Sequence, residues 1–291
     1  MTRGKATGIG TIAILLWSLL ALLTVGTAPV PPLMLNAITF GIGGMVGLIW
    51  IAVSGGFGQL RGVGWKVYAF GTIGLFGYHF LYFSALRLAP AAEAGLICYL
   101  WPLLIVIISG LLPGESLTGW HLAGALLSFA GTAVLILGKA ESLVAGGAAA
   151  GFVMALMAAL TWAGYSVLSR RLGRVPTASV AVFCLLTAAL SGLAHIGLEV
   201  TLWPAGLRGW LSCLALGLGP VGLAFYVWDI GVKGGDIQFL GVASYAAPLL
   251  STLALVLAGV AEGSARIGLA ALLITAGAGL AARASARARR I

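Results

Sequence analysis

The sequence predicts an all-α polytopic membrane protein with ten transmembrane helices. Its 291 residues are 61% hydrophobic and only 8% charged, and its mean hydropathy is +1.11. A soluble domain carries about 25% charged residues, so this composition excludes a soluble enzyme, a disordered protein and a nucleic-acid binder built on a basic face. A membrane β-barrel would be less hydrophobic, because its strands alternate polar and apolar residues. The 44 glycines lie in apolar runs, where small residues let helices approach closely.

Ten apolar runs predict the individual helices, because a helix needs roughly 20 apolar residues to cross a hydrocarbon core of about 30 Å. The runs are residues 8–26, 33–53, 67–86, 92–112, 119–138, 148–169, 178–198, 211–228, 237–258 and 267–282. Short breaks with turn-forming residues such as Pro113, Gly146 and Gly234 separate them. Arg3 and Lys5 precede the first run, but it is too long for the apolar region of a signal peptide, so we expect an uncleaved helix.

The basic residues predict the orientation of the helices, because Lys and Arg near helix ends accumulate on the cytoplasmic side. With ten spans, both termini share one side. That side would hold Arg3, Lys5, Arg61, Lys66, Arg170, Arg171, Arg174, Lys233, Arg283, Arg287, Arg289 and Arg290. The other side would hold Arg87, Lys139, Arg208 and Arg266. We therefore expect both termini in the cytoplasm, and we attribute the net charge of +9 to topology and anionic lipid rather than nucleic acid.

The sequence predicts neither an enzyme nor a metal site or cofactor. Cys98, Cys184 and Cys213 fall inside predicted spans, and an odd number of buried thiols gives no disulfide framework. No histidine lies at ligand spacing to them, and the chain has no HExxH, GxSxG, Walker A or CxxC pattern. The short loops also leave no room for a nucleotide-binding domain, which excludes an ATP-driven pump.

An internal repeat divides the chain into residues 1–143 and 144–291, with five spans in each half. Trp17 lies fourteen residues before Pro31, and Trp162 lies fourteen before Pro176, at an offset of 145. At an offset of 146, Gly95 matches Gly241, Tyr99 matches Tyr245, Pro102 matches Pro248, Tyr82 faces Trp228 and Arg87 faces Lys233. An odd number of spans per half inserts the second half upside down, as in many secondary transporters whose substrate site lies near the bilayer midplane.

These features carry a family resemblance. The ten short helices, the five-plus-five repeat, the termini on one side and the segment GLICYLWPLL at residues 95–104 resemble the drug/metabolite transporter superfamily, EamA type. Within it, the chain is similar to the aromatic amino-acid exporters of the YddG group, over essentially its whole length. The resemblance implies a ten-helix basket around a central cavity, located in the bacterial inner membrane and exporting metabolites.

The third predicted span contains the segment GYHFLYFSALR and three candidate cavity residues. Tyr78 and Tyr82 are spaced i, i+4 with His79 beside them, so one face of the helix carries two phenols and an imidazole. Arg87 marks the end of the helix, which puts His79 about 12 Å inside at 1.5 Å per residue. A polar side chain at that depth needs protein or water around it. The alternative is an aromatic belt at the membrane interface.

The fourth predicted span carries Tyr99 and Trp101 next to Pro102. Proline frees a backbone carbonyl and kinks a helix. Tyr99 and Trp101 lie two residues apart, about 200° around a regular helix, so both cannot point fully inward. The spacing does not choose between them, but the family resemblance favours Trp101 as part of the cavity wall.

Two semi-polar stripes complete the candidate site. In the sixth span, Trp162, Tyr165, Ser166 and Ser169 follow i, i+3, i+4, i+7 spacing, and Trp17 in the first span is the repeat partner of Trp162. In the ninth span, Gln238, Gly241, Tyr245 and Thr252 form a similar stripe. The alternative for each stripe is helix packing through small and hydroxyl residues.

The remaining polar residues near the spans have simpler interpretations. Asp229, Lys233 and Asp236 are spaced as a local ion-pair cluster on the cytoplasmic side. His195 lies four residues before Glu199 at a helix end, so we interpret it as structural.

Together the aromatic candidates predict a cavity that suits a neutral, aromatic amino acid, whose apolar side chain meets aromatic walls and whose polar end meets scattered polar groups. Aromatic rings could also hold its ammonium group by cation–π contact. No deep acidic residue is evident, which favours uniport by alternating access, with His79 as the candidate exception for a proton link. The alternative function is efflux of cationic or lipophilic compounds. We expect a monomer whose partners are its small-molecule substrate and membrane lipid.

Overall fold

The computed structural model describes residues 1–115, 117–137, 148–172 and 175–288, and these residues form ten helical spans. In chain order the spans are Arg3–Val25, Pro32–Val53, Trp65–Leu88, Ala91–Cys98 with Trp101–Ser109, Gly119–Leu137, Ala149–Arg171, Ser179–Leu198, Gly206–Gly234, Ile237–Leu257 and Ala265–Ala288. Nine are long and apolar enough to cross a membrane, and the fourth contains the shorter apolar helix Glu93–Ser109. The predicted all-α polytopic membrane protein is confirmed.

Some helix ends differ from the predicted runs because polar residues continue the helices beyond the apolar core. The first span begins at Arg3, where the hydroxyl of Thr2 accepts a hydrogen bond from the backbone N–H of Lys5 at 3.3 Å. The eighth begins at Gly206 rather than residue 211, with the exposed Arg208 in its first turn. Long basic side chains can reach the interface from such positions. Several predictions lie outside the described residues: the end of the fifth run at residue 138, the division at residues 143 and 144, the break at Gly146, and the placement of Lys139, Arg174, Arg289 and Arg290.

In the described part of the chain, five spans are interrupted, and four of the interruptions occupy matching positions in the two halves. The first span is interrupted at Leu19, between Arg3–Ser18 and Leu20–Val25, whereas its counterpart Ala149–Arg171 is one continuous helix. The fourth span breaks between Cys98 and Trp101, and the ninth breaks between Ala243 and Ala246. Pro102 lies in the first turn after the first of these breaks, so the helix is interrupted beside the proline that predicted a disturbance there. The third and eighth spans each contain a π-helical turn, at Ile73–Gly77 and Gly219–Leu223, which lie 146 residues apart.

The spans pack in pairs that relate the two halves. The first span packs on the eighth and ninth, and the sixth packs on the third and fourth. The second packs on the seventh, the fourth on the ninth and the fifth on the tenth. Exchanging each span of the first half with its counterpart five places later leaves this set of neighbours unchanged.

Glycines bring several of these helix pairs into backbone contact. A Cβ atom on Gly10 of the first span would lie 2.9 Å from the Cα of Gly231 in the eighth. A Cβ on Gly43 of the second span would lie 2.7 Å from the Cα of Gly222, inside the π-helical turn of the eighth. Close contact through small residues is the usual way that membrane helices associate, because lipid gives no hydrophobic drive between them.

The start of the first span and the end of the tenth lie at one end of the bundle. Arg3 of the first span bonds Glu115, which precedes the fifth span, with 2.9 Å between Nη2 and Oε2. At the start of the fifth span, Nε2 of His121 lies 3.2 Å from Oγ of Ser285 in the tenth. We call this the terminal end. The opposite end contains the starts of the second and fourth spans and the end of the third.

Candidate functional site

Four tryptophans from four spans meet inside the bundle. Trp17, Trp101, Trp162 and Trp228 come from the first, fourth, sixth and eighth spans, and all six pairs of rings are in contact, with centroids 5.1 to 6.4 Å apart. Two of the four belong to each half of the chain. We call this set the tryptophan cluster. The structure brings the sequence-predicted Trp17, Trp101 and Trp162 together.

Aromatic residues of the second, third and eighth spans extend the cluster. Phe225 lies 5.7 Å from Trp162 and stacks on Phe40 at 5.2 Å. The ring of His79 lies 5.0 Å from that of Phe40 and 6.0 Å from that of Phe225, edge to face in both cases. Such aromatic pairs contribute about 0.5–1.5 kcal/mol beyond the area they bury.

The tyrosines of the third and sixth spans line the same region. Tyr78 lies 5.4 Å from Trp162 and stacks on Tyr82 at 6.0 Å. Tyr165 stacks on Trp162, which belongs to the same predicted stripe of the sixth span, with ring centroids 5.3 Å apart. Tyr99 lies at the break of the fourth span and is half-buried. Because the helix is interrupted there, the angle of about 200° expected for a regular helix does not relate Tyr99 to Trp101.

Tyr245 lies in a different cluster. It is fully buried, packs against Phe129 at 6.1 Å, and its hydroxyl accepts a hydrogen bond from the backbone N–H of Leu103 at 3.1 Å. That N–H follows Pro102, at the point where the fourth span is broken. The structure therefore places Tyr245 apart from the tryptophan cluster, with its polar group occupied at a helix break.

Local helix geometry gives partners to two polar groups beside the cluster. The π-helical turn of the third span changes the backbone bonding pattern, and Nδ1 of His79 lies 2.7 Å from the carbonyl oxygen of Leu75 in that turn. The indole Nε1 of Trp228 donates to Oγ of Ser166 at 3.1 Å. Ser166 belongs to the predicted stripe of the sixth span. At this residue the stripe contributes to packing between helices, which is the alternative interpretation given for it above.

Exposure divides the site into two parts. Trp101, Trp162, Tyr165 and Trp228 are at most 6% exposed. Five aromatic or imidazole side chains are partly exposed instead: Trp17, Tyr78, His79, Tyr82 and Tyr99. The buried set would form the floor of a site, and the partly exposed set would form the surface that a solute meets.

Ion pairs link the two halves of the chain at the terminal end. Glu115 is 3% exposed and lies between Arg3 of the first span and Arg170 of the sixth, bonding both. Arg170 also donates to the backbone oxygens of Val232 and Gly235 at 2.9 Å each. We call Glu115, Arg3 and Arg170 the terminal clasp. Its carboxylate joins the first half of the chain to the second.

The predicted cytoplasmic cluster of Asp229, Lys233 and Asp236 is confirmed only in part. Nζ of Lys233 lies 2.8 Å from Oδ2 of Asp229, one helical turn away. Asp236 instead caps the ninth span by accepting from the N–H of Phe239 at 3.0 Å, and it lies 3.8 Å from Arg3. The turn that ends the eighth span separates Asp236 from the face that carries Lys233.

A second buried carboxylate holds the opposite end. Glu199 accepts hydrogen bonds from the backbone N–H groups of Leu33 and Met34 at the start of the second span, bonds Arg87, and lies 3.0 Å from His195. Burial alone would raise the pKa of Glu199, but these hydrogen bonds and the charge of Arg87 together lower it. His195 also contacts Thr201 at 2.9 Å, which agrees with its structural interpretation.

Sequence reasoning missed several residues of this arrangement. Trp228 completes the tryptophan cluster, and its repeat match with Tyr82 was the available signal. Phe225 matches His79 at the same offset of 146. Glu115 carried no comparable signal, since its two arginine partners lie 112 and 55 residues away in the chain.

Two further features lie outside the cluster. A cavity of about 490 Å³ lies at the opposite end, where the fifth and ninth spans end and the tenth begins. It is lined by Leu135, Thr252 and the loop that precedes the tenth span. Thr252 of the predicted ninth-span stripe faces this cavity, away from the tryptophans. Within the described ranges, no group of three His, Cys, Asp or Glu side chains could hold a metal ion.

Known proteins resemble this chain along nearly its whole length. The model of the EamA-like transporter family matches residues 6–137 and 149–283. The aromatic amino acid exporter YddG of Ancylobacter novellus is 54% identical over 289 residues, which cover 97% of this chain and 98% of that protein. Exporters of the same name from Salmonella typhimurium and Escherichia coli are 26% identical over 266 residues, covering 87% of this chain and 88% of each. A solved crystal structure superposes with a TM-score of 0.91 at 55% identity, covering 96% of this chain and 98% of that chain.

Proposed function

Because the chain belongs to the EamA-like transporter family, we propose that it is a secondary transporter that exports aromatic amino acids through the tryptophan cluster. The observation that carries this proposal is the meeting of Trp17, Trp101, Trp162 and Trp228 inside the bundle, bordered by partly exposed tyrosines and an imidazole. The relative from Ancylobacter novellus, which is named an aromatic amino acid exporter, supports the same cargo.

The chemistry of the cluster fits that cargo. Indole and phenol rings bury an aromatic side chain well and offer edge-to-face contacts to it. The polar end of an amino acid needs a few fixed polar groups, which the phenols of Tyr78, Tyr82 and Tyr99 and the imidazole of His79 could supply. A strongly cationic cargo would need an available carboxylate, but Asp229 in the eighth span is paired with Lys233.

We propose that residues 1–143 and 144–291 are inverted repeats, and that transport proceeds by alternating access. The symmetric set of span contacts, the paired helix breaks and the two π-helical turns 146 residues apart support the repeat. In transporters of this construction, the halves rock against each other around a site at the midplane. The buried carboxylate that follows Trp228 in the chain, Asp229, bonds Lys233 and Thr177, and this pairing favours uniport down the substrate gradient.

We further propose that the terminal end faces the cytoplasm of a bacterial cell, with the chain in the inner membrane. The majority of the basic residues lie on this side in the predicted topology, as the positive-inside rule requires. The terminal clasp then closes the cytoplasmic end of the protein. The partly exposed Trp17, Tyr78 and Tyr82 lie toward the opposite end, so the site would open to the outside.

Export is tested with purified protein in liposomes loaded with labelled phenylalanine or tryptophan. We expect faster release than from protein-free liposomes, and saturation as the substrate concentration rises. Trp17→Ala should reduce the rate severalfold, because it removes the partly exposed indole, and Trp120→Ala is the matched control, since that indole is 54% exposed on the outer surface of the fifth span. Release of the amino acids at the rate of protein-free liposomes would refute the proposal. In liposomes loaded with a quaternary amine instead, release faster than that of both amino acids would favour the alternative cargo.

A further inference from the structure

The two ring nitrogens of His79 are in different situations. Nδ1 lies 2.7 Å from the carbonyl oxygen of Leu75, and a carbonyl only accepts, so Nδ1 carries the proton and donates. The ring lies among aromatic side chains and forms no ion pair among the described residues, which favours the neutral ring because such surroundings disfavour a charge. Its Nε2 is then an acceptor, and none of the described residues donates to it. The side chain is partly exposed, so a solute can approach.

The surroundings of this acceptor are aromatic. The rings of Phe40, Tyr78, Phe225 and Phe83 have centroids 5.0, 5.1, 6.0 and 6.2 Å from the imidazole. Aromatic faces attract cations and offer little to anions. A neutral nitrogen acceptor among such rings therefore suits a cationic donor, and hydrogen bonds from cationic donors are about twice as strong as neutral ones.

The repeat shows that the fold itself does not need an imidazole at this position. Phe225 occupies the position that matches His79 at an offset of 146, and each lies two residues after the end of a π-helical turn, Gly219–Leu223 or Ile73–Gly77. The second half therefore forms the same backbone feature with a phenylalanine. Only the first half of the chain has a polar ring at this position, and that ring lies beside the tryptophan cluster.

These observations point to one role. Resting on the export function proposed above, we propose that Nε2 of His79 accepts a hydrogen bond from the α-ammonium group of the amino-acid substrate. The bond from Nδ1 to Leu75 positions the ring and selects the tautomer in which Nε2 can accept. The imidazole would then discriminate amino acids from aromatic solutes that lack an amino group.

The test compares substrates with and without that group in liposome counterflow. Tryptophan, phenylalanine and indole-3-propionate are supplied to wild-type protein and to His79→Phe, which keeps an aromatic ring and removes the acceptor. We expect the rates for both amino acids, relative to indole-3-propionate, to fall about ten- to hundredfold in the variant. His79→Gln supplies another acceptor and should restore part of the ratio. His121→Gln, at the terminal end, should leave it unchanged.

The outcomes separate the competing explanations. An equal loss of exchange rate for all three solutes, at unchanged thermal stability, would overturn the proposal, because His79 would then contribute to the packing of the site and not to recognition of the amino group. A loss for tryptophan alone would also overturn it by pointing to the indole N–H. If the wild-type protein exchanges none of the solutes, the export function fails together with this proposal. If it exchanges them and His79→Phe keeps the wild-type ratio, this proposal alone fails.

Discussion

At the scale of single residues, several buried polar groups have specific partners in the protein, because hydrocarbon offers none. Glu199 shows this most clearly: its 2%-exposed carboxylate receives backbone N–H groups of a helix start, an arginine and a histidine. The sequence predicted the pairing of His195 with Glu199 from their spacing. It could not predict that the N–H groups of Leu33 and Met34 complete the site, because they lie about 165 residues away.

Glu199→Gln should remove a pH-dependent part of the stability. The folded pKa of Glu199 is lower than its ordinary value of 4.5, so its contribution is complete above that pH and is lost as the pH falls through the folded pKa. We expect the wild-type melting temperature to fall on acidification below about pH 4.5. Glu199→Gln should melt lower at neutral pH and change less with acid. Parallel curves for the two proteins, or an equal effect from the exposed Glu262→Gln, would contradict this.

At the scale of helices, the length of each apolar run and the position of each proline predicted most of the architecture. Ten runs became ten spans, and Pro102 marked a helix break. The π-helical turn Ile73–Gly77 was not predictable, because its glycines and apolar residues equally suit a regular helix. The spacing of Tyr245 in the ninth span could not show that its hydroxyl accepts a hydrogen bond from Leu103, because Leu103 lies in the fourth span, 142 residues away.

Gly10→Ala should destabilise the crossing of the first and eighth spans, and Gly8→Ala should not. A Cβ on Gly10 would lie 2.9 Å from the Cα of Gly231, whereas a Cβ on Gly8 meets nothing within 4 Å. Overpacking costs about 1–3 kcal/mol, and replacing a helical glycine by alanine gains about 0.5–1 kcal/mol. Thermal melts in one detergent should therefore place Gly10→Ala below the wild type and Gly8→Ala at or above it. The reverse order would show that the helices do not touch here.

At the scale of the whole molecule, the helices are connected differently at the two ends. The opposite end joins the second, third and seventh spans through Glu199, whereas the terminal clasp joins the first and sixth spans through Glu115. The repeat could be predicted from the sequence, because tryptophans and prolines recur at one offset. The clasp could not, because a single loop carboxylate has no periodic pattern, and its partners are set by how the halves pack.

Glu115→Gln should shift the protein toward a state that is open at the terminal end. The substitution removes the charge that attracts both Arg3 and Arg170, and two arginines left together repel each other. Gln238 is 3% exposed and lies two residues after Asp236, which is 3.8 Å from Arg3. The cysteine of Gln238→Cys should then react severalfold faster with an impermeant maleimide added from the cytoplasmic side. Glu199→Gln, at the opposite end, should not accelerate the reaction. Equal labelling rates for the cysteine protein with Glu115 and with Glu115→Gln would show that the terminal clasp does not control access to position 238 from the cytoplasmic side.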